Sequence, residues 1–325
     1  MIELTLRRLE GLVPRDRRVV VTHVDQLEST KALTHNLCDH FLAEPLAKNT
    51  ANALILAALE VQQIANRAGI IDPIMLSLHA DALIKRMDVF PTALESMIDS
   101  AVNENLTLLG VTPEYPETGY GYIEKGQALN EHNTTYKVDS FREKPNLKLA
   151  EQYIETKRFL WNSGIFAWKV SSFLAEITEF LPKSVEILRS VLGNLKSFSE
   201  LQNESFADAY SALQSIAIDP AVLERSKKVT VVEADIGWKD VGSWDALTQS
   251  FTPDDNGNLF YGDVVSIGTI GTTVDSDAKT VACVGLKDMI VVCSEGAILV
   301  CHRDRAQDVK YIVEELKKRG QNQLV

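Results

Sequence analysis

Two aspartates, one lysine and a few amides and hydroxyls stand at points of this sequence where they could move a phosphoryl or nucleotidyl group. Asp81, in LSLHADALI, follows a run patterned as a strand. A carboxylate there can hold a hard cation through oxygen, or it simply caps the next element. Asp240, in DIGWKDVGSW, stands among Gly237, Gly242 and two tryptophans. That is either a backbone turn packed under a rigid platform or a surface acid on a packed turn. In FREKP, Glu143 lies between two bases and Pro145 follows at once. Lys144 is a point charge suited to a phosphate, and Glu143 accepts hydrogen bonds from hydroxyls. The plainer reading is a charged strand end. Gly119 and Gly121 flank Tyr120 in PETGYGYI, which permits close backbone approach to a ligand or marks a bulged strand. Asn162 and Ser163 in WNSGIF interrupt an apolar strand. They need partners, either backbone groups or a sugar's hydroxyls. Glu44 ends a strand and Asn49-Thr50 open a helix in EPLAKNTANAL. Free N–H groups at a helix start suit an anion or a base edge, although taken alone ordinary capping is the better reading. Together these residues offer two acids for a metal, a lysine for a phosphate and several hydroxyl binders. That set suits nucleotidyl transfer, where catalysis is mostly alignment and charge neutralisation.

The elements that must position them follow from periodicity. Helical spacing is expected over residues 1–12 and 26–38, and from Asn49 to Gly69, with strands at RRVVVTH, HFLAEP, PIMLSLHAD and LTLLGV. Helices alternating with strands imply an α/β domain built on a mainly parallel, doubly wound sheet. Ligands bind such sheets beyond the carboxyl ends of the strands. From Thr112 to Pro145 the pattern becomes a hairpin or side sheet. Helical patterns then dominate up to Lys228, broken by LWNSGIFAWKV, and the strand VTVVEAD follows. After Phe251 the turn cluster TPDDNGNLF introduces short strands, GDVVSI, KTVACVGL, MIVVCS and GAILVCH, and a last helix from Arg305 to Lys318. Two domains are therefore expected, 1–251 and 252–325. The strands after Phe251 could expose an edge that pairs in a homodimer. Neither GxGxxG nor GxxxxGK[ST] occurs.

Bulk properties narrow the function class. Of 325 residues, 33 are Lys or Arg and 45 are Asp or Glu, a formal charge of -12. That balance argues against general nucleic-acid binding and leaves room for a locally basic pocket. The four cysteines have no CxxC or zinc-ligand spacing and read as reduced thiols of a cytoplasmic protein. MIELTLRRLEGL has no long apolar core and is not expected to be a signal peptide. No run reaches the roughly 18 apolar residues of a membrane span.

The order EPLAKNTANA, HAD, PETGYGYI, FREKP, WNSGIF, IDPAVLERS, GWKDVGSWDAL resembles that of mannose-1-phosphate guanylyltransferases over nearly the whole chain. The tail GLKDMIVVCSEGAILVCHRDRAQDVK is similar too. The resemblance implies a Rossmann-like (GT-A-like) nucleotidyltransferase domain and a small C-terminal β domain of left-handed β-helix type. It also implies that mannose 1-phosphate and GTP are converted to GDP-mannose and pyrophosphate. Asp81 and Asp240 would hold Mg²⁺, and Lys144 would bind the sugar's phosphate. Gly119, Tyr120, Gly121, Glu143, Asn162, Ser163, Asp219 and Glu224 would line the mannose pocket. Glu44, Asn49 and Thr50 would lie on the nucleotide side. No second, isomerase activity is expected. Three departures stand out. His79 and Ala82 replace the family's proline and histidine around Asp81, and Ala217 and Pro220 replace its serine and tyrosine. The family's opening strand and glycine-rich loop, GGxGTRLWPLSR then PKQF, have no counterpart, and MIELTLRRL matches the helix that follows them. Strands beside the missing one are expected to lose ladder partners. Two alternatives stay open: a non-catalytic sugar-nucleotide-binding relative, and a nucleotidyltransferase for another sugar or base.

Overall fold

Runs rich in valine and isoleucine become strands, and runs with a period near 3.6 become helices. This is seen in a computed structural model that describes residues 1–132, 134–193, 204–241, 253–277, 279–294, 296–321 and 324. Gly242, Trp244 and the boundary expected at 251–252 lie outside the described residues. The chain divides into two compact units, Met1–Trp238 and Lys239–Val325.

The first unit opens with α1 (Ile2–Arg7), β1 (Val19–His23), α2 (Leu27–Thr34), β2 (His40–Glu44) and α3 (Asn49–Arg67). β3 (Ile74–Ser77), β4 (Ala82–Ile84), α4 (Phe90–Val102), β5 (Leu106–Val111) and the hairpin β6 (Gly121–Ala128) and β7 (Thr135–Glu143) follow. α5 (Leu147–Thr156), β8 (Phe159–Lys169), α6 (Val170–Phe180), α7 (Pro182–Gly193), α8 (Glu204–Ser211) and β9 (Val229–Glu233) complete it. β10 (Trp238–Asp240) spans the division between the units. α1 is shorter than the expected 1–12 helix. Buried Arg18 takes the carbonyls of Leu6, Leu9 and Val13, so the chain leaves the helix there with its end groups satisfied.

The main sheet has six strands in the order β3-β8-β5-β9-β7-β6, and β1 and β2 form a separate parallel pair. β5 and β9 are parallel, but β8 runs antiparallel to both β3 and β5. The sheet is therefore mixed, not mainly parallel as expected. β8 is covered on both faces. Leu160, Phe166 and Trp168 enter one core beside α3 and α6. Trp161, Ile165 and Ala167 enter the other beside α4. A strand buried on both faces reads as a continuous apolar run whatever its direction.

In the second unit, β11 (Leu259–Tyr261), β13 (Thr273–Ser276) and β15 (Met289–Cys293) stack in parallel, and β16 (Ile298–His302) adds antiparallel. β12 (Val264–Ile267) and β14 (Val281–Val284) stack as a second parallel pair. Alternating between two parallel stacks along the chain is the connectivity of a β-helix. Its core holds Val274, Cys283 and Val291, and α9 (Val309–Lys318) closes it in sequence. Among the described residues no helix is long and apolar enough to cross a membrane.

Candidate active site

β6, β7 and β8 bring their polar residues together because they are hydrogen-bonded neighbours. Gly121 pairs with Glu143, and Tyr122 pairs with Trp161, one residue before Asn162. A Cβ on Gly121 would stand 2.8 Å from the Glu143 carboxylate and 3.0 Å from the Phe141 ring, so a side chain there would displace the acid from its observed position. Asn162 Nδ2 donates to Asp219 at 2.9 Å. Burial, then the nearby Glu143 and Glu224, raise the Asp219 carboxyl to about 6. Burial and Glu143 also raise Glu224. Four predicted sugar residues, Glu143, Asn162, Asp219 and Glu224, thus form one largely acidic cluster from β7, β8 and the helical turn at Asp219–Leu223.

Lys144 stands at the rim of this cluster. Its φ is 47°, in the left-handed region, and its N–H donates to the Tyr120 carbonyl at 3.2 Å. A lysine held there just before a proline is strained twice over, because the following proline favours extended backbone. Its ammonium is 3.4 Å from Glu143, and the side chain is 64% exposed, so a phosphate can reach it. Tyr120 meets Trp161 and Trp238 edge-on, with ring centroids 5.3 and 5.2 Å away. Gly119 N–H donates to the Glu117 carboxylate at 2.8 Å.

The HAD loop reaches the same region. Gly164 has φ +71°, and a Cβ there would lie 2.9 Å from the His79 ring. His79 thereby packs onto the WNSG bend two residues before Asp81. The Asp81 carboxylate is exposed and makes no hydrogen bond or ion pair among the described residues. A free carboxylate at a strand end fits a hard divalent cation that takes its other oxygens from substrate phosphates. Asp240 ends β10 and is counted with the second unit. Among the described residues no group of three or more His, Cys, Asp or Glu side chains is placed to hold a metal.

The nucleotide-side candidates are tied into the scaffold. Asn49 Oδ1 accepts from the Thr50 N–H at 2.9 Å, with Asn49 at φ 67°. Thr50 Oγ1 accepts from Ile218 N–H at 2.9 Å, next to Asp219. Glu44 accepts the Tyr210 hydroxyl, and its carboxyl is raised, chiefly by burial. Ser163 is a correction to the expected pocket. It is 3% exposed, and its hydroxyl donates to the Leu109 carbonyl at 2.7 Å, so it satisfies the strand and does not face a sugar. Two participants were not among the predicted residues. Tyr210 meets Glu44 across 166 positions and carried no sequence signal. Glu117 was visible only as part of PETGYGYI, yet its carboxylate orients the turn at Gly119.

Two outcomes follow from this packing. Tyr210→Phe leaves a half-buried carboxylate short of its donor. Urea unfolding at neutral pH is expected to show a loss of about 1–3 kcal/mol, shrinking in acid, where Glu44 is protonated. Asp219 gives a pH signature. Between its ordinary range and about 6 the folded protein binds more protons than the unfolded chain, so its contribution to stability falls as pH rises through that window. Asp219→Asn is expected to remove this slope from the stability–pH curve.

The comparisons with known proteins agree with this architecture. The nucleotidyl transferase family model matches residues 1–256, and the mannose-phosphate isomerase/GMP-like β-helix model matches 262–316. A mannose-1-phosphate guanylyltransferase of Klebsiella pneumoniae is 34% identical over 328 residues, 98% of this chain and 67% of that protein. One from Escherichia coli is 32% identical over 330 residues, 99% of this chain and 70% of that protein. A solved structure from Thermus thermophilus, described as a mannose-1-phosphate geranyltransferase, superimposes with a TM-score of 0.81 at 31% identity. It covers 97% of this chain and 89% of that one. Fold and site together define a nucleotidyltransferase of the α/β class with an appended β-helix. Within that class, the chain belongs to the mannose-1-phosphate guanylyltransferase family.

Proposed function

We propose that this chain transfers GMP from GTP to mannose 1-phosphate, giving GDP-mannose and pyrophosphate, in the cytoplasm. The observation that carries the reading is the largely acidic cluster of Glu143, Asn162, Asp219 and Glu224 with Lys144 at its rim. Carboxylates and an amide suit a polyhydroxylated ring, and one exposed ammonium suits its phosphate. Asn162 and Asp219 orient the sugar, and Tyr120 packs beside it. An oxygen of the sugar phosphate attacks the α-phosphorus of GTP in line. The new P–O bond forms as the bond to the β-phosphate bridging oxygen breaks, and pyrophosphate leaves with that electron pair. No general base is required, because the attacking phosphate is already ionised. Glu44, Asn49 and Thr50 frame the nucleotide side. Asp81 is the carboxylate we assign to a divalent cation, Mg²⁺. The cation would neutralise charge on the phosphates.

A second reading is binding of the sugar nucleotide without turnover. A screen of pyrophosphate release across nucleoside triphosphates and sugar 1-phosphates tests the assignment. GTP with mannose 1-phosphate is expected to be the best pair. A faster pair would reassign the substrate, and release from none would favour the binding reading.

A further inference from the structure

Between α8 and the helical turn at Asp219–Leu223 the chain crosses residues 212–217 without regular secondary structure. A segment of this kind must find partners for its backbone groups elsewhere. It finds them in the run from β2 into α3. The Tyr210 hydroxyl donates to Glu44 where the segment begins. The Lys48 ammonium donates to the Ser211 carbonyl at 2.7 Å, and Asn52 Nδ2 donates to the Gln214 carbonyl at 2.8 Å. The Ala51 N–H donates to the Ile216 carbonyl at 3.2 Å, and Thr50 Oγ1 accepts the Ile218 N–H at 2.9 Å.

These bonds stitch together residues assigned to different substrates. Thr50 belongs with the nucleotide-side candidates, whereas Ile218 leads directly into Asp219 of the sugar-side cluster. Asp219 is thereby fixed at two points. Its carboxylate accepts from Asn162 Nδ2 at 2.9 Å, and the N–H of the residue before it is held by the Thr50 hydroxyl. Ile218 is buried. Without the hydroxyl its N–H is left unsatisfied, and the chain at Asp219 shifts to find another acceptor. The bond from Thr50 is also made by a side chain, so it can be removed without altering the backbone of α3.

We propose that Thr50 is a positioning residue for the sugar, its hydroxyl setting the place of Asp219 through the Ile218 N–H. The inference rests on reading the cluster of Glu143, Asn162, Asp219 and Glu224 as the mannose site. Thr50 acts through Asp219 and touches no sugar itself. Loss of its oxygen therefore weakens the sugar contacts and spares the nucleotide contacts. A residue that served the nucleotide directly would show the opposite.

Equilibrium binding of GDP-mannose and of GDP to the full chain tests this, because the two ligands differ by the mannose. The unaltered chain is expected to bind GDP-mannose more tightly than GDP. Thr50→Val keeps the shape and removes the acceptor, and is expected to weaken GDP-mannose about tenfold but GDP less than about threefold. Thr50→Ala also lacks the acceptor and is expected to give the same split, so the outcome does not hang on whether valine is tolerated. Thr50→Ser keeps the hydroxyl and is expected to restore most of the loss. In an Asp219→Asn background, Thr50→Val is expected to cost GDP-mannose less than about threefold further, since the residue it acts through is already altered. Retained GDP binding reports a folded chain. Equal weakening of both ligands overturns the proposal and makes Thr50 a nucleotide contact. Additive losses in the double variant overturn it too, by separating Thr50 from Asp219. An unaltered chain with no preference for GDP-mannose over GDP removes the mannose-site reading itself, and this inference with it.

Discussion

Asp81→Asn is expected to slow pyrophosphate release by about two to three orders of magnitude while leaving stability nearly unchanged. The two halves of this outcome have separate causes. The carboxylate is exposed and makes no hydrogen bond or ion pair among the described residues, so its loss removes no folding interaction there. Surface changes of that kind fall within about 0.5 kcal/mol. In the reaction, however, the side chain is assigned to a cation that neutralises the phosphates, where a preorganised charge counts far more than in water. The isosteric amide keeps the shape and removes the charge. The half-saturating concentration of the cation is expected to rise with the fall in rate. A variant with unchanged rate and metal dependence would remove Asp81 from the site, and unfolding in urea separates either result from misfolding.

Lys144→Gly is expected to lower kcat/KM for the sugar phosphate by about a hundredfold while stabilising the fold by about 1 kcal/mol. The opposing signs come from one residue. Lys144 holds φ at 47°, a conformation that costs a non-glycine residue of order 1–3 kcal/mol. Glycine adopts it freely, although part of the gain returns to the unfolded chain as entropy. The ammonium lost with the side chain is an exposed cation at the rim of the site, 3.4 Å from Glu143. Lys144→Ala serves as the comparison. It is expected to lose the same activity without the stabilisation, because alanine keeps the strain. Equal stability of the two variants would show that the left-handed backbone is not under strain, and full activity in both would place the phosphate elsewhere.

Much of the site was legible in the sequence because it is built from strand ends, and strand ends carry compact motifs. FREKP and WNSGIF could be read as a charged terminus and a polar break in an apolar strand. Pairing of β6 with both β7 and β8 then brings them together. What pairing alone decides was not legible. The direction of β8 is silent in its composition, since both faces are buried, and the expectation of a mainly parallel sheet failed on that strand. Ser163 illustrates the same limit. Its polarity announced a partner, and the two candidates, backbone or sugar, differ only in which way the strand faces. Tyr210 gave no signal, because its partner Glu44 lies 166 positions away. α1 ended early for a comparable reason, as Arg18 collects its carbonyls from outside the helix.

The central claim is that this chain makes a phosphoanhydride between GMP and mannose 1-phosphate. The direct measurement is to incubate the purified chain with GTP, mannose 1-phosphate and Mg²⁺ and to quantify both products by mass. GDP-mannose and pyrophosphate in equal amounts, dependent on the sugar phosphate and abolished by chelator, is the predicted result. Binding of both substrates with neither product formed, or release of GDP and phosphate in their place, would contradict it.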